Sequence, residues 1–296
     1  MKVVVAGASG LIGVPLVRRL RAQGHEVVRL VRRAPTAPGE VRWDPATGVL
    51  DPVAVAGADA AVDLAGAGIG DRRWTRRYRR TVLHSRTSST GTLARALAAQ
   101  DRPPAVLLQA SATGYYGDRG EEELTEASAP GTGFVPGVCM AWEAAAEPAR
   151  AAGIRVVALR TGLVLTPEGG LVGRMAPLLR TGLAGPLGSG RAWWSWITLE
   201  DQLRALLFLL EHDVAGPVNL VAPEPARNGD LVRALARGYS RPALLPVPAL
   251  ALRAAVGGFA EEILASRRVL PQVLAGAGFR FTAPDLAGAV RQVTAA

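Results

Sequence analysis

Six short apolar runs occur between residues 3 and 221 and alternate with longer amphipathic stretches. The runs cover residues 3–6, 27–31, 60–64, 106–110, 156–159 and 218–221. Stretches with helical spacing of apolar positions cover residues 11–23, 78–99, 138–152 and 199–212. Strands that are apolar at almost every position are typical of a parallel sheet that helices cover on both faces. The pattern therefore predicts an α/β fold built on a doubly wound parallel sheet of Rossmann type.

The pattern changes beyond about residue 240. Pro242, Pro246 and Pro248 precede a short helical stretch at residues 249–256, and an Arg-Arg-Val-Leu-Pro segment follows at 267–271. We therefore predict a dinucleotide-binding domain over residues 1–240, with substrate-side segments from about residue 166. Residues 241–296 are predicted to form a small, mostly helical C-terminal domain.

The charge of the chain raises the question of a nucleic-acid partner. The net charge is +9, and Lys2 is the single lysine, so almost all cations are arginines. The densest group lies at residues 72–80, where Trp74 and Tyr78 stand between arginines. Such a patch could attract an anionic partner, or it could be a solvated helix face. Because arginines are spread along the whole chain, we favour the second interpretation and expect no nucleic-acid partner.

Cysteine and histidine usage bounds the chemistry further. Cys139 is the single cysteine, and the three histidines are scattered without the spacing of metal ligands. The sequence therefore predicts neither an internal disulfide nor a metal site. The chain begins directly with a strand, and no uninterrupted apolar run reaches the length that spans a membrane. We expect a cytoplasmic monomer or homodimer that acts on a small molecule and binds no membrane.

The strongest motif opens the chain, where an apolar strand, a glycine-rich turn and the start of a helix follow one another. The turn reads Gly7-Ala8-Ser9-Gly10-Leu11-Ile12-Gly13. Its first glycine permits a sharp turn, the second lets the backbone approach a diphosphate, and the third lets the helix lie close to the strand. The N–H groups at the helix start then face the anion. This context predicts a dinucleotide site, although a glycine-rich turn without a ligand is the alternative.

Arginines at the end of the second strand indicate which dinucleotide binds. Arg32 and Arg33 stand where an NAD site normally has an acidic residue for the ribose 2′-hydroxyl. Guanidinium groups instead suit the 2′-phosphate of NADP(H), unless these are ordinary surface arginines. Small residues after the third run, Leu64-Ala65-Gly66, would let the adenosine half of the cofactor pass over the sheet, or would serve only a tight turn.

The chain resembles the extended short-chain dehydrogenases/reductases of the NAD-dependent epimerase/dehydratase superfamily. The resemblance rests on the glycine spacing, on Leu64-Ala65-Gly66, on Ser111-Ala112-Thr113-Gly114-Tyr115-Tyr116-Gly117 and on Trp193-Trp194-Ser195-Trp196-Ile197. More narrowly, it is similar to an epimerase-like subfamily of oxidoreductases with atypical active sites, through segments such as Ser85-Arg86-Thr87 and Arg160-Thr161-Gly162-Leu163-Val164-Leu165. The tail from Pro246 to about Val290 resembles that subfamily's C-terminal domain of unknown function.

The resemblance implies a Tyr-x-x-x-Lys pair, which this chain lacks. The corresponding positions hold Val135 and Cys139, and Lys2 lies in the first strand. An unassisted tyrosine has a pKa near 10, so its phenolate fraction at pH 7 is about one in a thousand, a penalty of about 4 kcal/mol. The penalty applies to a tyrosine that acts as the base in alcohol oxidation, because that tyrosine must first lose its proton. It does not apply to a neutral tyrosine that donates a hydrogen bond or a proton in carbonyl reduction. We predict that Tyr116, with Ser111 and Thr113, polarises a substrate carbonyl, unless the tyrosine hydroxyl only caps a turn.

Two later segments complete the predicted site. Arg160, Thr161 and Gly162 end a buried strand at the same edge of the sheet and are predicted to flank the nicotinamide half of the cofactor. The resemblance places substrate-contacting residues near Glu200 and Asp201, which follow Trp193, Trp194 and Trp196. The three tryptophans could form an apolar wall for the substrate, or two of them could belong to the core. Arg191 and Ser195 are predicted to make the polar substrate contacts.

Two main functions are consistent with this site. The first is an NADP(H)-dependent oxidoreductase with an atypical active site and an unknown small carbonyl substrate. The second is a non-catalytic NADPH-binding protein, a redox sensor or regulatory partner. A nucleotide-sugar epimerase fits less well, because it must oxidise its substrate first and that step most needs a base.

Overall fold

The computed structural model describes residues 1–294. Its strands are β1 (Lys2–Ala6), β2 (Glu26–Val31), β3 (Glu40–Arg42), β4 (Ala60–Asp63), β5 (Val106–Ala112), β6 (Glu123–Leu124), β7 (Arg155–Thr161), β8 (Leu163–Leu165), β9 (Trp193–Trp194), β10 (Trp196–Thr198), β11 (Gly216–Leu220), β12 (Ala226–Arg227) and β13 (Arg268–Val269). Its helices are α1 (Gly13–Ala22), α2 (Arg76–Ala98), α3 (Phe134–Ala144), α4 (Glu147–Ala151), α5 (Gly170–Thr181), α6 (Leu199–Glu211), α7 (Asn228–Gly238), α8 (Ala249–Val256), α9 (Phe259–Leu264), α10 (Gln272–Gly276) and α11 (Leu286–Thr294). Short 3₁₀ turns cover Pro52–Val55 and Thr113–Tyr116.

The central sheet has seven strands in the order β11-β7-β5-β4-β1-β2-β3, and all of its neighbours are parallel. This is the doubly wound α/β fold predicted from the alternation of apolar runs and helices, and the prediction is confirmed. Because the strands are parallel, β1, β4, β5 and β7 all end at one edge of the sheet. The loops at this carboxyl edge form the site described below.

Strand side chains alternate between two apolar cores, one on each face of the sheet. In β1, Val3 and Val5 belong to one core, while Val4 and Ala6 belong to the other. Helices α1 and α6 cover the first core, and α2 and α4 cover the second. Burial on both faces explains why the strands are apolar at every position rather than at every second one.

Helices α2 and α6 each begin after a threonine whose hydroxyl caps the first turn. The Thr75 hydroxyl accepts the N–H of Tyr78 at the start of α2, and the Thr198 hydroxyl accepts the N–H of Asp201 at the start of α6. A side-chain oxygen at this position satisfies an N–H that has no partner within the helix. Local hydrogen bonds therefore fix the first turns of both helices.

The C-terminal segment packs back onto the sheet. Leu274 and Phe279 join the first core, while Ala289 and Val293 join a third apolar cluster that includes residues of α5 and α7. Strand β13 pairs with β6, which lies in the loop region after β5. The segment thereby brings residues 259–267 to the carboxyl edge of the sheet.

The structure differs from the sequence prediction at several places in the sheet domain, and helices α5 and α7 were not predicted. The stretch predicted as one helix at 138–152 begins earlier, at Phe134, and is divided into α3 and α4. Pro148 accounts for the division, because it has no N–H to continue the helical ladder. The edge strand β3 was not predicted, because Glu40-Val41-Arg42 is short and charged.

Within residues 1–294, no helix combines the length and the apolar character needed to cross a bilayer. The same residues contain no group of three or more His, Cys, Asp or Glu side chains arranged to hold a metal ion.

Candidate cofactor and substrate site

The glycine-rich turn lies against the end of β4. Gly7 has φ +76°, and a Cβ there would stand 2.6 Å from the carbonyl carbon of Leu64. A Cβ on Gly13 would stand 2.1 Å from the carbonyl oxygen of Gly7. Glycine is therefore required at both positions, for conformation at the first and for close packing at both. The turn directs the N-terminus of α1 across the carboxyl edge of the sheet, which is the geometry of a diphosphate site.

A buried carboxylate holds the end of β4 in place. Asp63 is fully buried, and its carboxylate accepts hydrogen bonds from the hydroxyls of Ser89 and Thr90 on α2 and from the N–H of Ala65. Burial raises the pKa of Asp63, and these hydrogen bonds partly oppose the rise. The predicted segment Leu64-Ala65-Gly66 thus begins from a rigid point beside the glycine turn.

The two arginines after β2 differ in their surroundings. Arg33 donates to both carboxylate oxygens of Glu40, at 2.8 and 2.7 Å. The Arg33 hydrogen bonds and the N–H of Thr36 lower the pKa of Glu40 to about 2. Arg32 is exposed and has neither an acidic nor a hydrogen-bond partner for its side chain among residues 1–294. Of the predicted pair, Arg32 is therefore the guanidinium that can turn toward a ligand.

A cavity of about 420 Å³ lies at the carboxyl edge of the sheet. Its wall combines the strand ends with α3 and the C-terminal segment, and it is mainly apolar. The strand ends contribute Ala112, Thr113, Thr161 and Gly162; α3 contributes Val135, Val138, Cys139 and Trp142; the C-terminal segment contributes Phe259, Glu262, Ile263, Ala265 and Arg267. Residues of the glycine turn are not part of this wall. An apolar cavity with a few polar groups is typical of a small-molecule site.

The three side chains predicted to polarise a carbonyl have different positions. Thr113 lines the cavity, and its hydroxyl has no hydrogen-bond partner among the described residues. Ser111 is 4% exposed and donates to Glu143 at 2.7 Å. Tyr116 is completely buried; its hydroxyl donates to Asn219 at 2.7 Å and accepts from Arg160 at 3.1 Å. Of the three, the structure presents only Thr113 to the cavity.

The position of Tyr116 corrects the role predicted for it. Its hydroxyl lies in a polar network behind the cavity, because Asn219 of β11 and Arg160 of β7 meet it there. Burial raises the pKa of Tyr116, and the contact with Arg160 only partly offsets this. The phenol therefore stays protonated and held by protein partners, consistent with the alternative that it stabilises a turn.

Arg160 and Glu143 form the centre of this network. The Arg160 side chain is 4% exposed, and its Nε and Nη2 donate to the two carboxylate oxygens of Glu143 at 2.9 and 3.0 Å. Burial alone would lower the pKa of Arg160, but the hydrogen bonds and charge of Glu143 more than reverse this and raise it. Arg160 was predicted to contact the cofactor, yet its side chain turns away from the cavity. Thr161 and Gly162, predicted with it, do line the cavity.

Comparisons with known proteins identify the family. The model of the NAD dependent epimerase/dehydratase family matches residues 3–221, and the model of a domain of unknown function (DUF1731) matches residues 247–293. The chain belongs to the NAD dependent epimerase/dehydratase family.

Relatives within the family match over nearly the whole chain. The epimerase family protein Mb2239 of Mycobacterium bovis is 45% identical over 281 residues, which are 94% of this chain and 93% of that protein. The crystal structure of human epimerase family protein SDR39U1 (isoform 2) with NADPH has a TM-score of 0.90 at 32% identity, covering 100% of this chain and 99% of that one. A nucleoside-diphosphate sugar epimerase from Corynebacterium glutamicum has a TM-score of 0.80 at 33% identity, covering 99% of this chain and 58% of that one.

Helix α3 carries the two positions at which the resemblance implies the Tyr-x-x-x-Lys pair. Val135 and Cys139 both line the cavity, one helical turn apart. Cys139 is 2% exposed, and burial raises the pKa of its thiol to about 12, so the thiol stays protonated. Lys2 lies in β1 and donates to the carbonyl of Ala56 at 2.7 Å. The two positions of the implied pair therefore hold neither an acid nor a base at neutral pH.

The predicted substrate residues are brought together only in part. Trp194 lines the cavity and donates its indole N–H to the carbonyl of Ile263 at 3.0 Å. Ser195 also lines it, but its hydroxyl donates to the carbonyl of Arg267 and accepts the N–H of Val269, both at 2.8 Å. Arg191 is exposed and is not part of the wall, which corrects its predicted role. The Ser195 hydroxyl thus attaches the C-terminal segment rather than a substrate.

Sequence reasoning missed three arginines of the cavity wall, Arg174 on α5 and two others. Arg267 donates to both carboxylate oxygens of Glu262, at 2.7 and 2.6 Å, and to the carbonyl of Gly117. Arg86 reaches the cavity from α2. In an arginine-rich chain, none of the three has a local signal that separates it from surface arginines. The resemblance includes Arg86 in its motif but assigns it no role.

Proposed function

We propose that this epimerase-family protein is an NADP(H)-dependent oxidoreductase that reduces the carbonyl group of a small substrate. The observation that supports it most directly is Thr113, which lines an apolar cavity and whose hydroxyl has no hydrogen-bond partner among residues 1–294. A neutral hydroxyl in this position can donate a hydrogen bond to a carbonyl oxygen as negative charge develops on it. It cannot act as the base that alcohol oxidation at neutral pH requires.

The residues present fit the cofactor. Gly7 and Gly13 form a cradle that any Cβ would fill, and the start of α1 faces it. Arg32, directly after β2, has no side-chain partner among residues 1–294, and its guanidinium suits a 2′-phosphate. The human relative SDR39U1 was crystallised with NADPH. When bound, NADPH would supply the hydride.

The chain's own residues then have separate roles. The glycine turn would hold the diphosphate through main-chain N–H groups, and Arg32 would hold the 2′-phosphate. Val135, Val138 and Trp142 exclude water and pack against the apolar part of the substrate. Thr113 would orient the carbonyl oxygen and stabilise its charge, and a solvent proton completes the alcohol.

The first test replaces Thr113 with valine, which has nearly the same shape but no hydroxyl. We expect the rate of carbonyl reduction to fall about a hundredfold, in the range observed for positioned proton donors. Binding of NADPH should stay within about twofold, because the residue lies on the substrate side of the cavity. The measurement is NADPH oxidation with a panel of small aldehydes and ketones, alongside calorimetric titration of NADPH.

A matched control for that test is Thr81→Val. Thr81 is exposed on α2, and its hydroxyl donates only to the carbonyl of Arg77 within the helix. This variant should retain full activity. If the wild-type protein oxidised no NADPH with any member of the panel, or if Thr113→Val were as active as the wild type, the proposal would be wrong.

A second test concerns the choice of nucleotide. Replacing Arg32 with alanine should raise the Kd for NADPH about tenfold, or about 1.4 kcal/mol, with the Kd for NADH almost unchanged. Arg33→Ala should have a smaller effect, because Glu40 already holds that guanidinium. Arg18→Ala, at an exposed position on α1, is the control and should change neither constant. Equal weakening of NADPH and NADH in Arg32→Ala would contradict the role of Arg32.

A non-catalytic NADPH-binding protein is the second candidate function. Val135 and the protonated Cys139 of α3 favour it, because these two cavity positions offer no acid–base group at neutral pH. Tight NADPH binding without turnover of any carbonyl compound would support this function. Sugar-nucleotide epimerisation, which the name of the Corynebacterium neighbour suggests, is less well supported, because its oxidative step needs a base.

A further inference from the structure

Arg86 is held rigidly at the cavity wall by neutral groups. Its Nη1 donates to the carbonyl oxygens of Ala67 at 2.9 Å and Val82 at 3.1 Å. The guanidinium carbon lies 4.9 Å from the centre of the Trp142 ring. Two carbonyls and a tryptophan face therefore fix the plane of the guanidinium without neutralising its charge.

The charge balance of the cavity singles out Arg86. Three arginines line the wall, and two of them have carboxylate partners. Arg174 pairs with Asp71 at 3.0 Å, and Arg267 pairs with Glu262 at 2.6 Å. Arg86 has no carboxylate partner among residues 1–294. Burial lowers the pKa of Arg86, yet a guanidinium remains charged at neutral pH. An uncompensated charge in such a wall is unfavourable unless a ligand meets it.

The free edge of the guanidinium indicates what that ligand is. Because Nη1 makes both carbonyl hydrogen bonds, the Nε and Nη2 donors are without an acceptor in the described part of the chain. Parallel N–H groups on one edge of an arginine match the two oxygens of a carboxylate or phosphate. The rest of the wall is apolar and aromatic, so the ligand would combine an oxyanion with an apolar body.

We propose that Arg86 binds the carboxylate or phosphate of the substrate, so that the protein acts on small anionic carbonyl compounds with an apolar body. The reduction of the carbonyl group rests on the proposed function, whereas the binding of the anion by Arg86 does not. The phosphates of the cofactor are the other source of such an oxyanion. The substrate is favoured because the glycine turn, where the diphosphate would lie, is not part of the wall that contains Arg86. The net charge of +9 would also attract an anionic substrate.

The experiment compares a probe with its uncharged counterpart. The probes are para-carboxybenzaldehyde, its methyl ester and para-formylphenyl phosphate, titrated by calorimetry into the full-length protein with and without NADPH. The wild type should bind at least one anionic probe about tenfold more tightly than the ester. Arg86→Gln should abolish this preference, and Arg86→Lys should retain part of it, because it keeps the charge but loses the paired donors. The control is Arg73→Gln, since Arg73 is exposed and donates to the carbonyl of Ala254.

The outcomes separate the two proposals. Preference for an anionic probe that depends on Arg86, without NADPH turnover, would support the binding site and count against the reductase. If the wild type bound the anionic probes no more tightly than the methyl ester, the inference would be wrong, and this comparison needs no variant. The inference would also be wrong if Arg86→Gln kept the wild-type preference for the anionic probes. If Arg86→Gln raised the Kd for NADPH tenfold and left probe binding intact, Arg86 would serve the cofactor phosphates and the inference would be wrong. If Arg86→Gln did not fold, Arg86→Lys would provide the test. An Arg86→Lys protein that bound both anionic probes as tightly as the wild type would contradict a paired contact.

Discussion

Replacing Glu143 with alanine is expected to lower the free energy of unfolding by about 3–5 kcal/mol, the range for removing one partner of a buried ion pair. The Arg160 side chain is 4% exposed, and Glu143 accepts two of its N–H groups. Without that carboxylate the guanidinium stays buried without a counter-charge, and Ser111 also loses its acceptor. The measurement is equilibrium unfolding in urea at neutral pH, with the m-value checked for two-state behaviour.

A neighbouring ion pair provides the control. Glu147 pairs with Arg150 at 3.4 Å, but its side chain is 71% exposed. Glu147→Ala should therefore change stability by no more than about 0.5 kcal/mol. The double variant Glu143→Leu with Arg160→Met should recover much of the loss, since an apolar pair leaves no buried charge. A loss from Glu143→Ala as small as that from Glu147→Ala would show that the network has little effect on stability.

Replacing Gly13 with alanine is expected to destabilise the protein by about 2–3 kcal/mol, as overpacking of a rigid site does. The new methyl group would stand 2.1 Å from the carbonyl oxygen of Gly7 and 2.9 Å from the Cα of Ala8. Both neighbours are backbone atoms, so the turn itself must move. We expect this movement to raise the Kd for NADPH about a hundredfold, because the main-chain N–H groups lose their alignment.

Gly137→Ala is the matched control for Gly13→Ala. Gly137 lies inside α3, and a Cβ there would meet no other atom within 4 Å. Alanine at an unobstructed helix position should stabilise the protein by about 0.5–1 kcal/mol and leave NADPH affinity unchanged. Thermal unfolding and calorimetry on both variants give the comparison. Normal NADPH affinity in a folded Gly13→Ala protein would contradict the role assigned to the turn.

The fold could be predicted largely because its signals are local. All six apolar runs became strands of the central sheet, since a strand buried on both faces is apolar at most of its positions. The edge strand β3 escaped prediction because it has a neighbour on one side only and its Glu40 and Arg42 are charged. The glycine turn was predictable for the same local reason, because its conformation depends on residues adjacent in sequence.

The site could be predicted only in part, because its contacts join distant residues. The sequence placed Thr113, Thr161 and Trp194 near one edge of the sheet, and all three line the cavity. It could not distinguish Thr113 from Tyr116. The tyrosine hydroxyl meets Asn219, which lies 103 residues further along the chain. Likewise, Arg160 resembles a ligand-binding residue until its pairing with Glu143 is seen.

The sequence alone determined the parallel α/β sheet, the diphosphate turn at its edge and the absence of a Tyr-x-x-x-Lys pair. These properties follow from residue periodicity, from glycine's lack of a side chain and from residue identity. The tertiary structure alone decided which polar groups are already paired and which remain free for a ligand. Arg33, Ser111, Ser195 and Tyr116 are held by protein partners, while the Thr113 hydroxyl and the outer edge of Arg86 have none among residues 1–294. That division depends on which side chains packing brings within hydrogen-bond distance, and short-range sequence patterns do not encode it.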